Sequence, residues 1–380
     1  MIIGIDASRA NQAQKTGVEW YAWHIIEELK KIIPDNIRVV LYSREKLTGD
    51  LARLPAAWDN RVLFWPPGKL WTQLRLSFEM WRRPPDILFV PAHAAPLVHP
   101  RKTVVTIHDV AANLWPQSYH WFERWYTVWS AKYAVKKLWR VIAPSEFVKN
   151  SLKHLRYRRK YFGAMVNIEN KIKVIAHGYN ENYRQIYQPE EIKTVLEKYN
   201  ITRPFLLSIG RLEEKKNTKR IIRAFNQICS KSRSRGYQLV LVGRPGFGYS
   251  EVKKEINNSP YKDKILELGW VAQPEAAVIM RAAAVFVFPG LYEGFGLPVL
   301  EAMVAGTPVV AAAGSGLEEV GGDACLYVNP ENVSDLAGAI GKLLANAKLS
   351  QNLILAGRER GKMFSWRRAA TETFDLLGQD

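Results

Sequence analysis

The stretch from Glu293 to Glu301 places two carboxylates eight residues apart around a short glycine loop. It follows an apolar run over residues 283–288, which predicts a buried strand. Pro298 stands where a helix would begin, because its fixed φ and missing N–H suit the first helical position. The backbone N–H groups of residues 294–297 would then point at a ligand above the strand end, and such amides favour an anion, typically a phosphate.

Two carboxylates beside an anion-binding loop indicate a sugar nucleotide as the ligand. Carboxylates accept hydrogen bonds from hydroxyl groups, so one glutamate would hold a transferred sugar and the other a ribose. The alternative interpretation is a surface loop with two solvated acids. The joint occurrence of the spacing, the glycines and the proline favours the ligand-binding interpretation.

Two cations flank a second expected strand-to-helix loop. Arg211 follows the apolar run 205–209, and Lys216 lies just before the next helix, with Asn217 as its expected N-cap. Ligands bind at the carboxyl ends of the strands in open α/β sheets, so this pair would form a diphosphate clamp. The clamp would stabilise the charge on a departing nucleoside diphosphate. The alternative is an ordinary basic loop on a basic protein.

His108 and Gly17 are further candidates in the first half of the chain. His108 follows the apolar run 104–107 and precedes Asp109, which places an imidazole at a strand end that faces a cleft between domains. It would either hydrogen-bond a sugar hydroxyl or serve the packing, as most single histidines do. Gly17 lies directly before an expected helix and would let the backbone approach a phosphate.

The elements that must position these residues alternate along the chain between apolar runs and amphipathic stretches. The expected strands are 2–5, 38–41, 87–90, 103–107, 141–143, 205–209, 238–242, 265–268, 285–288 and 308–312. The expected helices are 18–32, 121–139, 218–229, 275–283, 298–305 and an amphipathic tail over 364–377. Strands that alternate with helices predict an α/β fold with parallel sheets, and two such sets predict two Rossmann-like domains.

The expected domains are an N-terminal Rossmann-like domain over 1–180 and a C-terminal Rossmann-like domain over 181–362. A final helix over 363–380 is expected to pack back on the N-terminal domain. The join falls in the polar stretch 178–203.

Composition favours a two-domain globular protein with anionic partners. At 380 residues the chain exceeds the length of roughly 250–300 at which one core usually splits. The net charge of +18 indicates phosphates, lipid headgroups or nucleic acid as partners. The sequence has two cysteines, Cys229 and Cys325, and begins with a pattern typical of a strand rather than a signal peptide. We therefore expect a cytoplasmic protein.

Several motifs of other chemistries are absent from the sequence. Residues 243–248 have the wrong glycine spacing for a dinucleotide-binding loop, and there is no Walker loop or nucleophile elbow. No Asp-x-Asp and no His/Cys/Asp cluster with metal-ligand spacing occurs. This pattern disfavours a metal-dependent mechanism and predicts no metal and no bound cofactor, so Arg211, Lys216 and helix N-termini would neutralise the leaving group.

A basic, aromatic region covers residues 115–173, which contain 13 Lys and Arg against three Glu and no Asp. Trp121, Trp125 and Trp129 recur every four residues and share one helical face. A basic cluster follows at Lys153, Arg156, Arg158, Arg159 and Lys160. Interleaved tryptophans and cations suit an anionic membrane surface, here the inner face of the membrane. The alternative is that the tryptophan stripe is domain core and the charges form a solvated face.

As a set, these motifs resemble the retaining glycosyltransferases of family 4, which have the GT-B fold of two Rossmann-like domains facing each other across a cleft. The resemblance covers nearly the whole chain. It is carried by Gly210-Arg211, Lys216-Asn217, the segment 293–301, Gly306-Thr307-Pro308-Val309-Val310 and Thr106-Ile107-His108-Asp109. It implies a nucleotide-sugar donor on the C-terminal domain and an acceptor on the N-terminal domain.

The resemblance also implies roles for individual residues. Arg211 and Lys216 would bind the diphosphate, Glu301 the ribose, and His108 the sugar near its anomeric carbon. The donor sugar and phosphate would be contacted by Glu293 and the loop residues Gly294, Phe295, Gly296 and Leu297, with Gly17 approaching the phosphates. Trp270 and Val271 would lie near the base.

The implied reaction is transfer of a hexose with retention of configuration, by a front-face displacement. Mannose is preferred, because the chain is similar to bacterial cell-surface polysaccharide mannosyltransferases. The donor would be GDP-mannose or a UDP-sugar, and the acceptor a glycan or a polyprenyl-linked sugar. A nucleotide-sugar epimerase and a nucleic-acid-binding protein are the alternatives, although no nucleic-acid recognition motif is present.

Two segments depart from the family pattern. Ala176-His177-Gly178-Tyr179-Asn180 stands where many relatives have Pro-Asn-Gly-Val-Asp or similar. The segment 314–319 lacks the proline often found before its glutamate.

Overall fold

The computed structural model describes residues 1–67, 70–157, 168–231 and 236–379. The chain divides into two compact units. The N-terminal unit comprises residues 1–116 and 120–178 together with the residues from Phe364 onward, and the C-terminal unit comprises 117–119 and 179–363.

The N-terminal unit is built on a seven-stranded parallel sheet with the order β3-β2-β1-β4-β5-β6-β7. The strands are β1 (Ile2–Asp6), β2 (Arg38–Ser43), β3 (Trp58–Val62), β4 (Ile87–Val90), β5 (Lys102–Thr106), β6 (Arg140–Ala143) and β7 (Ile172–Val174). The central strand β4 is buried along its whole length, as expected for a parallel sheet covered on both faces.

Helices cover this sheet. They are α1 (Gly17–Leu29), α2 (Ser77–Arg82), α3 (Ala111–Leu114), α4 (Trp121–Lys137), α5 (Glu146–Tyr157) and α6 (Ile168–Lys171). A π-helical segment over Trp71–Leu76 leads directly into α2.

The C-terminal unit has a six-stranded parallel sheet with the order β10-β9-β8-β11-β12-β13. Its strands are β8 (Phe205–Ile209), β9 (Gln238–Val242), β10 (Ile265–Gly269), β11 (Val285–Phe288), β12 (Val309–Ala312) and β13 (Cys325–Val328). Its helices are α7 (Pro189–Lys198), α8 (Thr218–Lys231), α9 (Tyr249–Asn257), α10 (Gln273–Ala282), α11 (Leu297–Ala305), α12 (Leu317–Gly321), α13 (Val333–Ala345) and α14 (Ala347–Gly361).

The final helix, α15 (Trp366–Leu377), packs against α1 of the N-terminal unit. Its N-terminus is capped by Ser365, whose hydroxyl accepts a hydrogen bond from the Arg368 N–H. Gly178 allows a close approach, because a Cβ there would lie 2.1 Å from the Trp366 backbone nitrogen. The last helix in the sequence is therefore part of the first unit.

The prediction of two parallel α/β units is confirmed, and three strands were missed. β3 is polar at the edge of its sheet, β7 has three residues, and β13 has four. The stretch 178–203, expected as a polar join, contains α7, which begins with Pro189.

Within the described residues, no helix combines the length and apolar composition that crossing a bilayer needs.

Candidate active site

The loop that follows β11 is shaped by glycine. Gly296 has φ 95° and directly precedes α11, whose first residue is Leu297, one position earlier than predicted. A Cβ at Gly296 would lie 2.2 Å from Leu317 Cδ2, so the close packing against α12 also requires glycine there. The Gly316 N–H donates to the Glu293 carbonyl at 3.0 Å. These contacts hold the backbone between Glu293 and α11 in one conformation.

Lys216 and Glu293, predicted from separate motifs, are in direct contact. Lys216 Nζ lies 2.8 Å and 3.0 Å from the two Glu293 carboxylate oxygens. The lysine comes from a 3₁₀ turn over Glu214–Lys216 that follows β8, and its ammonium lies 5.0 Å from the centroid of the Phe288 ring. Both side chains are largely buried. The structure thus joins the ends of neighbouring strands β8 and β11 through one ion pair.

Arg211 and Asn217 lie on the same loop after β8. Arg211 is exposed, and its Cβ is 3.3 Å from the place a Cβ would take at Gly246. Asn217 directly precedes α8, as expected, and has φ 62°. Its Nδ2 donates to the Pro289 carbonyl at 3.0 Å and to the Pro330 carbonyl at 2.6 Å. The Asn217 side chain therefore ties the loop to the end of β11.

Glu301 lies one turn into α11 and is only partly exposed. Burial raises the pKa of its carboxyl to about 8, while a hydrogen bond with Tyr183 acts in the opposite direction. Tyr183 is 3% exposed and comes from a 3₁₀ turn over Glu181–Arg184. Sequence reasoning missed Tyr183, since nothing distinguishes a single tyrosine in a polar stretch.

Trp270 and Val271 follow Gly269 at the end of β10. The Trp270 side chain is 46% exposed, whereas Val271 is buried. Of these two side chains, that of Trp270 is therefore the more exposed to solvent.

His108 and Gly17 belong to the N-terminal unit. Gly17 is the first residue of α1, whose N-terminus is closed by a capping box between Thr16 and Glu19. His108 follows β5, as predicted, and its ring lies in an aromatic cluster with Tyr21 and His177. Burial lowers the pKa of His108 to about 3, so its imidazole is neutral at physiological pH.

The tryptophan stripe of α4 is not domain core. Trp121 is 80% exposed and Trp125 is 57% exposed, while Trp129 is partly buried. The alternative of a core stripe is therefore wrong for the first two turns of α4. In the basic cluster that follows, Arg158, Arg159 and Lys160 lie outside the described residues, and the side chain of Arg156 is likewise not described.

Comparisons with known proteins agree with this architecture. The family model Glycosyltransferase Family 4 matches residues 15–182, and the model Glycosyl transferases group 1 matches residues 190–360. The Anabaena protein HepE, solved in complex with UDP and glucose, has a TM-score of 0.74 at 18% identity and is matched over 100% of this chain and 99% of its own. The chain has the GT-B fold and carries two glycosyltransferase domains, a family 4 domain followed by a group 1 domain.

Among curated relatives, the chain is similar to O-antigen mannosyltransferases. O-antigen chain mannosyltransferase B of Escherichia coli is 33% identical over 188 residues, which are 49% of each chain, so the match spans about half of that relative. O-antigen chain mannosyltransferase RfbU of Salmonella typhimurium strain LT2 is 26% identical over 340 residues, which are 86% of each chain.

Proposed function

We propose that this protein is a retaining, metal-independent hexosyltransferase that uses a nucleotide diphosphate sugar, with mannose preferred. The acceptor would be a glycan or a polyprenyl-linked sugar. The observation that carries the proposal is the Lys216–Glu293 contact beside the glycine loop that starts α11. The names of the similar mannosyltransferases support mannose, and the UDP and glucose bound to the Anabaena protein support a nucleotide-sugar donor.

Donor binding would exchange the partners of this ion pair. In the free protein the Lys216 ammonium and the Glu293 carboxylate neutralise each other. A bound donor offers its diphosphate to Lys216 and its sugar hydroxyls to Glu293. Arg211 and the N–H groups at the start of α11 add donors for the phosphates. Glu301 would then bind the ribose, and Trp270 would contact the base.

The lysine and arginine act mainly on the leaving group. Negative charge on the diphosphate grows as the bond between the anomeric carbon and the phosphate oxygen breaks. Fixed cations therefore stabilise the transition state more than the bound donor. In the front-face displacement we propose, the acceptor oxygen attacks from the side that the phosphate leaves. The acceptor proton passes to the departing phosphate oxygen, and the anomeric configuration is retained.

The donor and the reaction can be tested together. We expect thermal-shift assays with GDP-mannose, UDP-glucose and UDP-N-acetylglucosamine to show stabilisation by at least one donor, undiminished by a chelator. Proton NMR of the product should show the anomeric configuration of the donor. Activity that disappears with chelator and returns with a divalent ion would contradict the metal-independent mechanism, and epimerisation of the donor without acceptor would contradict transfer itself.

The role of the ion pair can be tested by Lys216→Ala. We expect kcat to fall roughly 100-fold, the loss typical of one preorganised charge-stabilising donor. Lys219→Ala is the matched control, because it removes the same charge from the first turn of α8. Equal losses for the two variants would mean that only the general positive potential matters, and would contradict the proposed clamp.

We also propose that the protein binds the inner face of the membrane through an aromatic surface of the N-terminal unit. This surface consists of exposed side chains on α2, on α4 and on the segment before α2, namely Leu74, Phe78, Trp81, Trp121, Phe122 and Trp125. The segment before α2 lies next to α4, because Gln73 in that segment donates a hydrogen bond to the Tyr126 hydroxyl of α4. The sequence region 115–173, to which α4 belongs, carries the excess of cations, which suits anionic lipid.

Vesicle co-sedimentation tests the aromatic surface. We expect binding to phosphatidylglycerol-containing vesicles, weakened by salt and by the double substitution Trp121→Ala/Trp125→Ala. Ile186→Ala is the control, because Ile186 is 78% exposed on the C-terminal unit. No binding by the wild type, or equal binding by the tryptophan variant, would contradict the proposal.

A further inference from the structure

His177 is enclosed by aromatic rings inside the N-terminal unit. It is 3% exposed, and its ring centroid lies 4.5 Å from that of Tyr21 and 5.7 Å from that of Trp366. It occupies the second position of the Ala176-His177-Gly178 segment, where the sequence departs from the family pattern. Its ring is therefore held in place by packing on two sides.

The hydrogen bonds of His108 determine which of its ring nitrogens carries the proton. His108 Nε2 lies 3.3 Å from the Pro91 carbonyl oxygen, and Nδ1 lies 3.3 Å from His177 Nε2. A carbonyl oxygen can only accept, so His108 Nε2 must carry the hydrogen. In a neutral imidazole Nδ1 is then an acceptor, and His177 must donate to it from its own Nε2.

We infer that His177 is a positioning residue that, together with the Pro91 carbonyl, holds His108 in the Nε2–H tautomer. The inference rests on the proposed function, because it concerns the histidine that would contact the transferred sugar. The N–H that a sugar oxygen would meet on the Nε2 side already donates to the Pro91 carbonyl, so a bound sugar would share this hydrogen with that carbonyl or replace it as acceptor. The nitrogen on the opposite side is occupied by His177 and cannot compete for the sugar.

The surroundings keep both imidazoles neutral. Burial is the largest cause of the lowered pKa of each, and the His108 imidazole further lowers the pKa of His177. His93 lowers the pKa of His108 further, whereas the hydrogen bond to the Pro91 carbonyl and the Asp109 carboxylate act in the opposite direction. Tyr21 contacts both rings, and its hydroxyl lies 3.0 Å from the Thr106 hydroxyl. A single neutral tautomer is thus compatible with every group that faces His108.

The tautomer can be observed in the free protein by long-range proton–nitrogen NMR of the histidine rings. His108→Gln identifies the resonances of His108. We expect the wild type to show the Nε2–H form alone. His177→Phe, which keeps a ring against Trp366 and Tyr21, should add a fraction of the Nδ1–H form, because only the Pro91 carbonyl then selects the tautomer. His177→Gln retains an N–H donor and should remove that added fraction. His24→Phe is the matched control, because His24 also stacks on Trp366 at 4.8 Å.

The kinetic consequence is measured separately. Loss of one positioning hydrogen bond, about 1 kcal/mol net, should lower kcat of His177→Phe roughly fivefold, with little change in KM and with recovery in His177→Gln. An Nδ1–H form in the wild type, or equal spectra and rates in the wild type and His177→Phe, would overturn the inference. The NMR result needs no donor, so failure of the proposed transferase activity would leave the tautomer test intact.

Discussion

Glu301 combines a proposed binding role with a cost to the stability of the fold in one side chain. Its carboxyl is enclosed near Tyr183, and burial raises its pKa to about 8. A ribose would supply hydroxyl groups that replace the water the carboxylate has lost. The carboxyl is therefore poorly solvated in the free protein, as is common for groups that serve ligands rather than stability.

The raised pKa predicts a stability effect with a defined sign. The folded state prefers neutral Glu301, so this contribution is fully present below the ordinary pKa of about 4.3 and is lost as pH rises through about 8. Glu301→Gln is always neutral and should unfold at higher urea than the wild type, with a difference that grows from pH 5 to pH 8. Glu331→Gln, at an exposed position, is the control. A difference that shrinks with pH would contradict the assignment.

The buried histidines predict the opposite pH dependence for the N-terminal unit. Burial lowers the pKa of His24 and of His108 to about 3 in each case. Their stabilisation is complete above the unfolded value of about 6.5 and is lost as pH falls toward 3. We expect urea unfolding to show reduced stability at pH 5 relative to pH 7. His24→Phe should recover on the order of 2 kcal/mol of that loss, and no recovery would argue that other groups cause it.

At the residue scale, sequence reasoning identified side chains that bear recognisable chemistry in a recognisable place. Lys216 and Glu293 come from different motifs, yet each follows an apolar strand, and adjacent strand ends must meet. Their direct pairing was not predictable, because it depends on side-chain conformations. Tyr183 and His177 were missed as partners of Glu301 and His108, since both are distant in sequence from the residues they contact.

At the scale of elements, the glycine loop between β11 and α11 shows how backbone geometry positions the site. The loop needs a residue with positive φ at 296 and no side chain against Leu317. The sequence indicated this loop through its glycines and Pro298. The packing partner in α12 was not predictable, because its contact depends on the three-dimensional path of residues 314–317.

A pair of glycine substitutions separates these two requirements. Gly314→Ala introduces only backbone strain, since φ is 73° and nothing lies within 4 Å of the new Cβ. It should cost about 1–2 kcal/mol. Gly296→Ala adds a Cβ 2.2 Å from Leu317 Cδ2, so it should cost more and also weaken donor binding. Urea unfolding and donor titration measure the two effects. Equal costs would show that the Leu317 contact is easily relieved.

The strands that were predicted and those that were missed differ in burial. The central strands β4, β11 and β12 are fully buried and appear in the sequence as continuous apolar runs. β3 exposes polar side chains at a sheet edge, and only Trp58 is buried in it. An edge strand of this kind pairs through its backbone, which leaves no hydrophobic pattern to read.

At the scale of the whole molecule, the N-terminal unit depends on residues from the far end of the sequence. Trp366 stacks on His24 with an interplanar angle of 6° and also contacts Tyr21 and His177. Removing residues 364–380 should therefore destabilise the N-terminal unit and increase hydrogen exchange in α1. Hydrogen exchange in β8 and β11 of the C-terminal unit should change little. Unchanged exchange in α1 would show that α15 is dispensable for that unit.

The docking of α15 on α1 also bears on how the protein is made. A ribosome completes all of β8–β13 before it reaches Trp366, so the second sheet is available to fold while the first unit still lacks its last helix. The face formed by Tyr21 and His24 then stays uncovered until Trp366 and the rest of α15 have been synthesised. Newly made chains would thus be most vulnerable to proteases and to misassociation through the half that was synthesised first.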